Sequence, residues 1–245
     1  MISLGRSRRT RVTRVWICDV NGVLVDSSRV TREAFAATAA HYRCAFTEEQ
    51  FRAVKGLSLS EAYRLIDPGG EPSSRRDYHL RFVRERVEEV MAFPYVHERL
   101  MLARSVGIGI GAATSYGETA EAYLVHTRLY PLIGHLVTAD ELHRPKPHPD
   151  VILMVMRLFD IEPGRHEAAH AVYVGDTAVD IQAGRAAGVT TIGVSYGLCD
   201  LREIQAAEPD AIIDSFDEMS RFMAPAVTWH SHEKAATHRT CHPST

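Results

Sequence analysis

Apolar and polar positions divide this chain into two regimes. The first strongly apolar stretch, Val15-Trp16-Ile17-Cys18, shows no alternation and stops at Asp19. That pattern predicts a strand buried on both faces. After Ser27 the periodicity turns helical. Phe35, Ala39 and Tyr42 recur at helical spacing in an alanine-rich helix over Thr31–Tyr42. Thr47-Glu48-Glu49-Gln50 reads as a capping box that opens a second helix, and Ser58-Leu59-Ser60-Glu61 opens a third. The breakers Asp67-Pro68-Gly69-Gly70 end that third helix. Ser73–Met91 predicts a long charged helix with Leu80, Val83, Val87 and Val90 as its apolar stripe. No stretch between Ser27 and Phe93 reads as a strand, so residues 28–93 form a helical insertion.

From Pro94 onward, strands and helices alternate. Helices are predicted over Tyr95–Val106, Gly117–Leu129, Pro149–Phe159, Ala178–Ala187 and Leu201–Ala207. Between them lie strands over Ile108–Ala113, Leu136–Thr138, Ala171–Val174, Thr191–Val194 and Ala211–Ile213. Such alternation specifies a parallel, doubly wound α/β sheet with right-handed crossovers. The fold class is therefore α/β, with a Rossmann-like core over 15–27 and 94–223.

Composition narrows the functional classes. The 245 residues are 45% hydrophobic and 24% charged, enough for one large domain or a domain plus an insert. No apolar run reaches the ~20 residues of a membrane span. Residues 1–14 carry Arg6, Arg8, Arg9, Arg11 and Arg14 without an apolar stretch, which reads as a short disordered basic arm and not a secretory signal. The formal charge is −3, and removing those five arginines leaves −8 for the rest, which excludes a nucleic-acid footprint on the body. Residues 224–245 are polar and carry His230, His232, His238 and His242; no ligand spacing links them, so the segment reads as a disordered tail. The cysteines, Cys18, Cys44, Cys199 and Cys241, show no C-x-x-C spacing, and a reduced, cytoplasmic protein is expected. Nothing in the pattern specifies an oligomeric state.

The lysines carry more information. Only Lys55, Lys146 and Lys234 are lysine among 28 basic residues. In a chain that otherwise uses arginine, a compact point charge at two internal positions marks Lys55 and Lys146 as candidates.

Candidate chemistry gathers at the strand ends. Asp19 and Asn21 follow the first strand, Thr114 and Ser115 the second, and Asp176 to Asp180 the strand at Ala171–Val174. In a parallel sheet these share one edge, where open α/β sheets bind ligands. Taken alone, Asp19 is a nucleophile, a metal ligand, or a turn or helix-cap aspartate. Together the carboxylates suit Mg²⁺, while Lys146 and a hydroxyl suit an anion. A cation, a lysine and an attacking carboxylate are what phosphoryl transfer needs.

These motifs resemble the haloacid dehalogenase superfamily, in the branch that includes phosphoglycolate phosphatase and β-phosphoglucomutase. The likeness rests on Asp19-Val20-Asn21-Gly22-Val23-Leu24-Val25-Asp26-Ser27, Ala113-Thr114-Ser115, Lys146-Pro147-His148-Pro149-Asp150 and Val174-Gly175-Asp176-Thr177-Ala178-Val179-Asp180. It extends from about Val15 to Phe222, and the insertion at 28–93 matches the family's mobile α-helical cap. The resemblance implies a Mg²⁺-dependent phosphatase acting on a small phosphorylated metabolite. Asp19 would attack phosphorus. Thr114, Ser115 and Lys146 would hold phosphoryl oxygens. Asp19, the Asn21 carbonyl, Asp176 and Asp180 would hold the metal. Lys55-Gly56 resembles the cap loop that closes over the site, so both are substrate-side candidates.

Asn21 departs from the family pattern, which has a second aspartate there as general acid and base. An amide cannot transfer that proton, and positioned acid–base catalysis is typically worth ~10²–10⁴-fold. Three explanations stay open. The leaving group needs no acid, as in an acyl phosphate or a pyrophosphate; another group supplies the proton; or the protein binds a phosphorylated ligand as a weakened, regulatory relative. A phosphonoacetaldehyde-hydrolase-like P–C bond cleavage is suggested by Thr114-Ser115-Tyr116, but the lysine that chemistry uses falls at Leu59. Gly107-Ile108-Gly109-Ile110-Gly111 precedes a strand and fails the G-x-G-x-x-G spacing, so it is read as a strand with small residues packing under the site.

Overall fold

A computed structural model of the chain describes residues 13–115, 117–138, 142, 144–164 and 168–223. The expected arm, apart from residues 13 and 14, and the tail at 224–245 lie outside the described residues.

The core is one six-stranded sheet. Its strands are β1 (Val15–Cys18), β4 (Gly109–Thr114), β5 (His135–Thr138), β6 (Ala171–Gly175), β7 (Thr190–Val194) and β8 (Ala211–Ile213). All pair in parallel, in the order β5-β4-β1-β6-β7-β8. The crossovers are α6 (Gly117–His126), α7 (Asp150–Leu158), α8 (Ala178–Ala187) and α9 (Leu201–Ala206), with α5 (Val96–Ser105) leading into β4. A short 3₁₀ helix, Phe216–Phe222, follows β8.

The central place of β1 explains its composition. Its residues alternate between two cores, as side chains of a strand must. Trp16 and Cys18 join an apolar cluster with Leu100, Leu124 and Phe216. Val15 and Ile17 join the opposite one with Val155, Met156 and Tyr173. Burying side chains of this size contributes about 1.5–3 kcal/mol each, against about 0.5–1.5 kcal/mol net for a ladder hydrogen bond. A strand of four residues is thus held at least as firmly by its side chains as by its ladders. Gly109 and Gly111 serve the same packing: a Cβ at Gly109 would lie 2.6 Å from the Phe159 ring, and one at Gly111 would lie 2.3 Å from Val155.

Between β1 and β4 the chain forms β2 (Val25–Asp26), α1 (Ser28–Tyr42), α2 (Glu48–Val54), α3 (Leu59–Ile66), α4 (Pro72–Arg84) and β3 (Met91–Ala92). Both capping boxes form, at Thr47 with Gln50 and at Ser58 with Glu61. The helix expected over Ser73–Met91 stops at Arg84. A 3₁₀ turn at Val87–Glu89 follows, then β3, which pairs antiparallel with β2. The 80-83-87-90 spacing is helical, but Val90 is drawn into the sheet's core and Met91–Ala92 into pairing with Val25–Asp26. Local propensity is the weaker influence there.

The helices share their own apolar cluster, with Phe35 at its centre among Phe51, Tyr63 and Leu80. His79 is buried in it, edge-on to Phe35 and hydrogen-bonded to the Tyr63 hydroxyl at 2.8 Å. Burial pushes its imidazole pKa down to about 3. The unfolded chain, with a histidine pKa near 6.5, therefore binds the proton that the folded chain refuses. Stability present above pH ~6.5 is lost as pH falls toward 3. Urea unfolding of the wild type is expected to lose about 2 kcal/mol more between pH 7 and pH 5 than that of His79→Phe, which cannot titrate. Equal losses in the two proteins would refute the assignment.

Candidate active site

Parallel register brings the polar strand ends to one edge. Cys18 lies level with Ala112 on one side and Val174 on the other. The next residue, Asp19, donates its backbone N–H to the Val174 carbonyl at 2.9 Å and turns its side chain to the sheet's carboxyl edge, between the ends of β4 and β6. The turn after it is closed by Gly22 N–H to the Val25 carbonyl at 2.9 Å and by Leu24 and Val25 N–H to the Val20 carbonyl, each at 3.0 Å. Gly22 has φ +80°, and a Cβ there would lie 2.0 Å from Asp176 Oδ2. Only glycine fits both the backbone and the space.

Lys146, on the loop before α7, is 3% exposed and ends in the middle of the site. Its ammonium donates to Asp19 Oδ1 at 3.0 Å, Asp180 Oδ1 at 2.8 Å and the Ala113 carbonyl at 3.1 Å. These three bonds use all three ammonium donors. Asp180, at the third position of α8, is fully committed. Its Oδ1 also accepts from the Tyr173 hydroxyl at 2.8 Å, and its Oδ2 accepts from the Thr177 N–H at 3.1 Å and hydroxyl at 2.6 Å. Gly175 makes room for this fold-back, since a Cβ there would lie 2.2 Å from the Asp180 Cβ.

Asp176 differs. Its Oδ2 accepts the Leu198 N–H at 2.7 Å, while its Oδ1 is buried with no hydrogen-bond partner. Carboxylate oxygens of Asp19, Asp176 and Asp180 lie within 4.8 Å of one another. One ammonium faces three acids, and the electrostatics record the deficit. Burial pushes the Asp19 carboxyl up to about 6 although Lys146 pulls against it. Burial, then Asp180 and Asp19, push Asp176 well above the carboxylate range. For Asp180, burial is outweighed by Lys146 and the hydroxyl donors, and its pKa falls. Buried charge without compensation is costly. An orphaned carboxylate oxygen among hard oxygen donors is what a divalent cation of the Mg²⁺ type would satisfy.

The other sequence candidates also come to this edge. Thr114 ends β4 fully buried, and Ser115 follows it, donating through Oγ to the Gly56 carbonyl at 3.2 Å. Gly56 has φ +80° and packs on Thr177 and Val179. Lys55 donates to the Leu198 carbonyl and lies over the Phe51 ring. The Lys55-Gly56 turn thus rests on the segments that follow β4, β6 and β7. Asn21 is buried, and its Oδ1 accepts from the Ser27 hydroxyl at 2.9 Å. Among the described residues none donates to the Asn21 backbone carbonyl. Tyr116 lies outside the described residues.

Four participants escaped the sequence reading: Ser27 on Asn21, Tyr173 on Asp180, and Leu198 with Gly197 on Asp176. A Cβ at Gly197 would lie 2.3 Å from the Asp176 Cβ. Tyr173 left a usable signal, a hydroxyl within a strand otherwise apolar and fully buried. Leu198 acts through its backbone and left none.

Comparison with known proteins agrees with the geometry. The family model described as haloacid dehalogenase-like hydrolase matches residues 16–194. The pyrophosphatase PpaX of Oceanobacillus iheyensis is 26% identical over 208 residues, covering 84% of this chain and 94% of that protein. The probable phosphatase IndB of Dickeya dadantii is 30% identical over 212 residues, covering 83% and 90%. Among solved structures, CbbY from Rhodobacter sphaeroides in complex with phosphate superposes with a TM-score of 0.76 at 19% identity, over 86% of this chain and 99% of that one. A β-phosphoglucomutase from Clostridium difficile gives 0.72 at 17%, over 86% and 97%. The two structures share the fold. Matched to a family model over most of its length, the chain belongs to the haloacid dehalogenase-like hydrolases and is a hydrolytic enzyme.

Proposed function

We propose that this enzyme is a Mg²⁺-dependent phosphatase that hydrolyses a small phosphorylated metabolite through an aspartyl-phosphate on Asp19. The observation that carries this reading is the setting of Asp19. It stands at the end of the central strand, against the Lys146 ammonium and beside an Asp176 oxygen with no protein partner. The relatives named as phosphatase and pyrophosphatase support the substrate class.

In this reading Asp19 attacks phosphorus, the bond from phosphorus to the leaving oxygen breaks, and that oxygen keeps the electron pair. Water then attacks the same phosphorus and Asp19 departs as a carboxylate. Lys146, Thr114 and Ser115 bind the phosphoryl oxygens, and the Lys146 ammonium, held against Asp19, supplies positive charge for them. Asp180 positions Lys146 through the 2.8 Å bond. Asp19, the Asn21 carbonyl and Asp176 would hold Mg²⁺, and Asp180 would join them directly or through water. When bound, that ion supplies charge neutralisation around the transferring group. Residues 28–93 act as a cap over a core of 15–27 and 94–223, and Lys55 and Gly56 are its contacts at the site. Water exclusion follows from closure of such a cap. Leu59, buried in the helical cluster, leaves no lysine for Schiff-base chemistry at that place. Free thiols at Cys18, Cys44 and Cys199 fit the cytoplasm.

Phosphate release from a panel of phosphate esters and anhydrides is the test. Release is expected in Mg²⁺, falling to background in excess chelator and returning when Mg²⁺ is restored. A protein inert toward every compound with Mg²⁺ present overturns the proposal.

A further inference from the structure

Asp19 and Asn21 share the turn that leaves β1, and both are buried. The Asn21 amide is held in one orientation. Ser27, itself fully buried, donates its hydroxyl to Asn21 Oδ1 at 2.9 Å. An oxygen that accepts there leaves the amide nitrogen as the free end, and no described residue accepts from Nδ2. That end offers hydrogen-bond donation without proton transfer, because a neutral amide is not an acid at any pH the fold survives.

The remaining groups at the site are committed. Asp180 is saturated by Lys146, Tyr173 and Thr177. Asp176 has one oxygen on Leu198 and the other buried without a hydrogen-bond partner. From the helical insertion, Lys55 is bonded to the Leu198 carbonyl, and the Ser115 hydroxyl is bonded to the insertion at Gly56. With Asp19 taken as the nucleophile and Asp176 as a ligand of the cation, no acid among the described residues is left to protonate a departing alkoxide.

Resting on the phosphatase reading above, we infer that the substrate is a phosphoric anhydride, an acyl phosphate or a pyrophosphate, whose leaving group departs as a stable oxyanion. The balance is simple. Asp19 forms the new oxygen–phosphorus bond, the anhydride oxygen–phosphorus bond breaks, and the leaving carboxylate or phosphate keeps the electron pair. No proton moves in that step, and Asn21 Nδ2 contributes a hydrogen bond to the developing charge. An alkyl phosphate would have to release an alkoxide far more basic than water at neutral pH, and among the described residues none is left to give it a proton.

The experiment compares kcat/KM for acetyl phosphate, inorganic pyrophosphate and a simple alkyl phosphate in Mg²⁺, for wild type and Asn21→Asp. This ratio reports events up to leaving-group departure, so slow breakdown of the phosphoenzyme does not mask them. Wild type is expected to prefer the anhydrides over the alkyl phosphate by about 10³-fold or more. Asn21→Asp restores an acid and is expected to narrow that preference by ~10²–10⁴-fold. Wild-type turnover of the alkyl phosphate within about tenfold of acetyl phosphate overturns the inference while leaving the phosphatase reading intact. Inertness toward all three, with no phosphoenzyme formed from acetyl phosphate, overturns both. Should Asn21→Asp fail to fold, the wild-type preference alone decides.

Discussion

Asp19→Asn is expected to lower phosphate release by a factor on the order of 10⁴ or more, the usual scale for removing a nucleophile that acts as one unit with its site. Asparagine keeps the shape of the side chain and an oxygen that can accept from Lys146, now at 3.0 Å from Asp19 Oδ1. What it removes is the attacking carboxylate. The variant should be no less stable than wild type. Burial holds the Asp19 carboxyl up at about 6, so its charge is a burden to the fold and not a support. Loss of activity with an unchanged or raised unfolding midpoint therefore separates chemistry from structure. A second readout comes from Asn21. Water that attacks the aspartyl-phosphate has no base at this position, so the phosphoenzyme should accumulate in wild type. Acid quenching during turnover of ³²P-labelled substrate should trap label on wild type and none on Asp19→Asn. Retention of more than about a hundredth of wild-type activity by the variant would exclude Asp19 as nucleophile.

The residues that sequence reading placed together share a property: each is announced by its neighbours in the chain. Asp19 follows an apolar run that reads as a strand buried on both faces, and its position at the sheet edge follows from the strand's end. Asp176 and Asp180 follow another such run, and the spacing of four sets both at the start of one helix. Lys146 was marked by rarity in an arginine-dominated chain and by a stiff loop before α7. The contacts that remained hidden join distant segments. Leu198 meets Asp176 across 22 residues through a backbone amide, which no residue type announces. The Ser27 hydroxyl on Asn21 lay within the motif itself, yet its direction depends on how the turn closes through Gly22 and Val25. The overextended helix at 73–91 failed for a related reason. Its apolar spacing is genuine, but the strand pairing of Met91 with Asp26, 65 positions earlier, takes its last residue.

Lys146→Met should produce the largest loss of stability, because among the described residues it removes the one cation that faces three buried acids. Methionine approximates the length and flexibility of the lysine stem, so packing changes little. The ammonium's bonds to Asp19 and Asp180 vanish, and breaking a buried pair from one side typically costs about 3–5 kcal/mol. The sign with pH follows from Asp180. Lys146 and the hydroxyls hold its folded pKa below the usual carboxylate value. That stabilisation exists above the unfolded pKa of ~3.9 and disappears as pH falls through the folded value. Without Lys146 the carboxylate is stranded, so its folded pKa rises and the variant suffers most near neutrality. The difference in unfolding free energy between wild type and Lys146→Met, measured in chelator, should therefore shrink steadily from pH 7.5 toward pH 4. Mg²⁺ should recover part of the deficit by returning positive charge to the same acids. Lys146→Arg should not rescue, since five donors on a planar fork exceed the three acceptors arranged around this ammonium. Both variants should lose at least ~10²–10³-fold in kcat, the scale of one preorganised charge at a reacting centre. A deficit of equal size at pH 4 and pH 7.5 would mean that Lys146 supports the fold by packing alone, and the site would lose its organising charge.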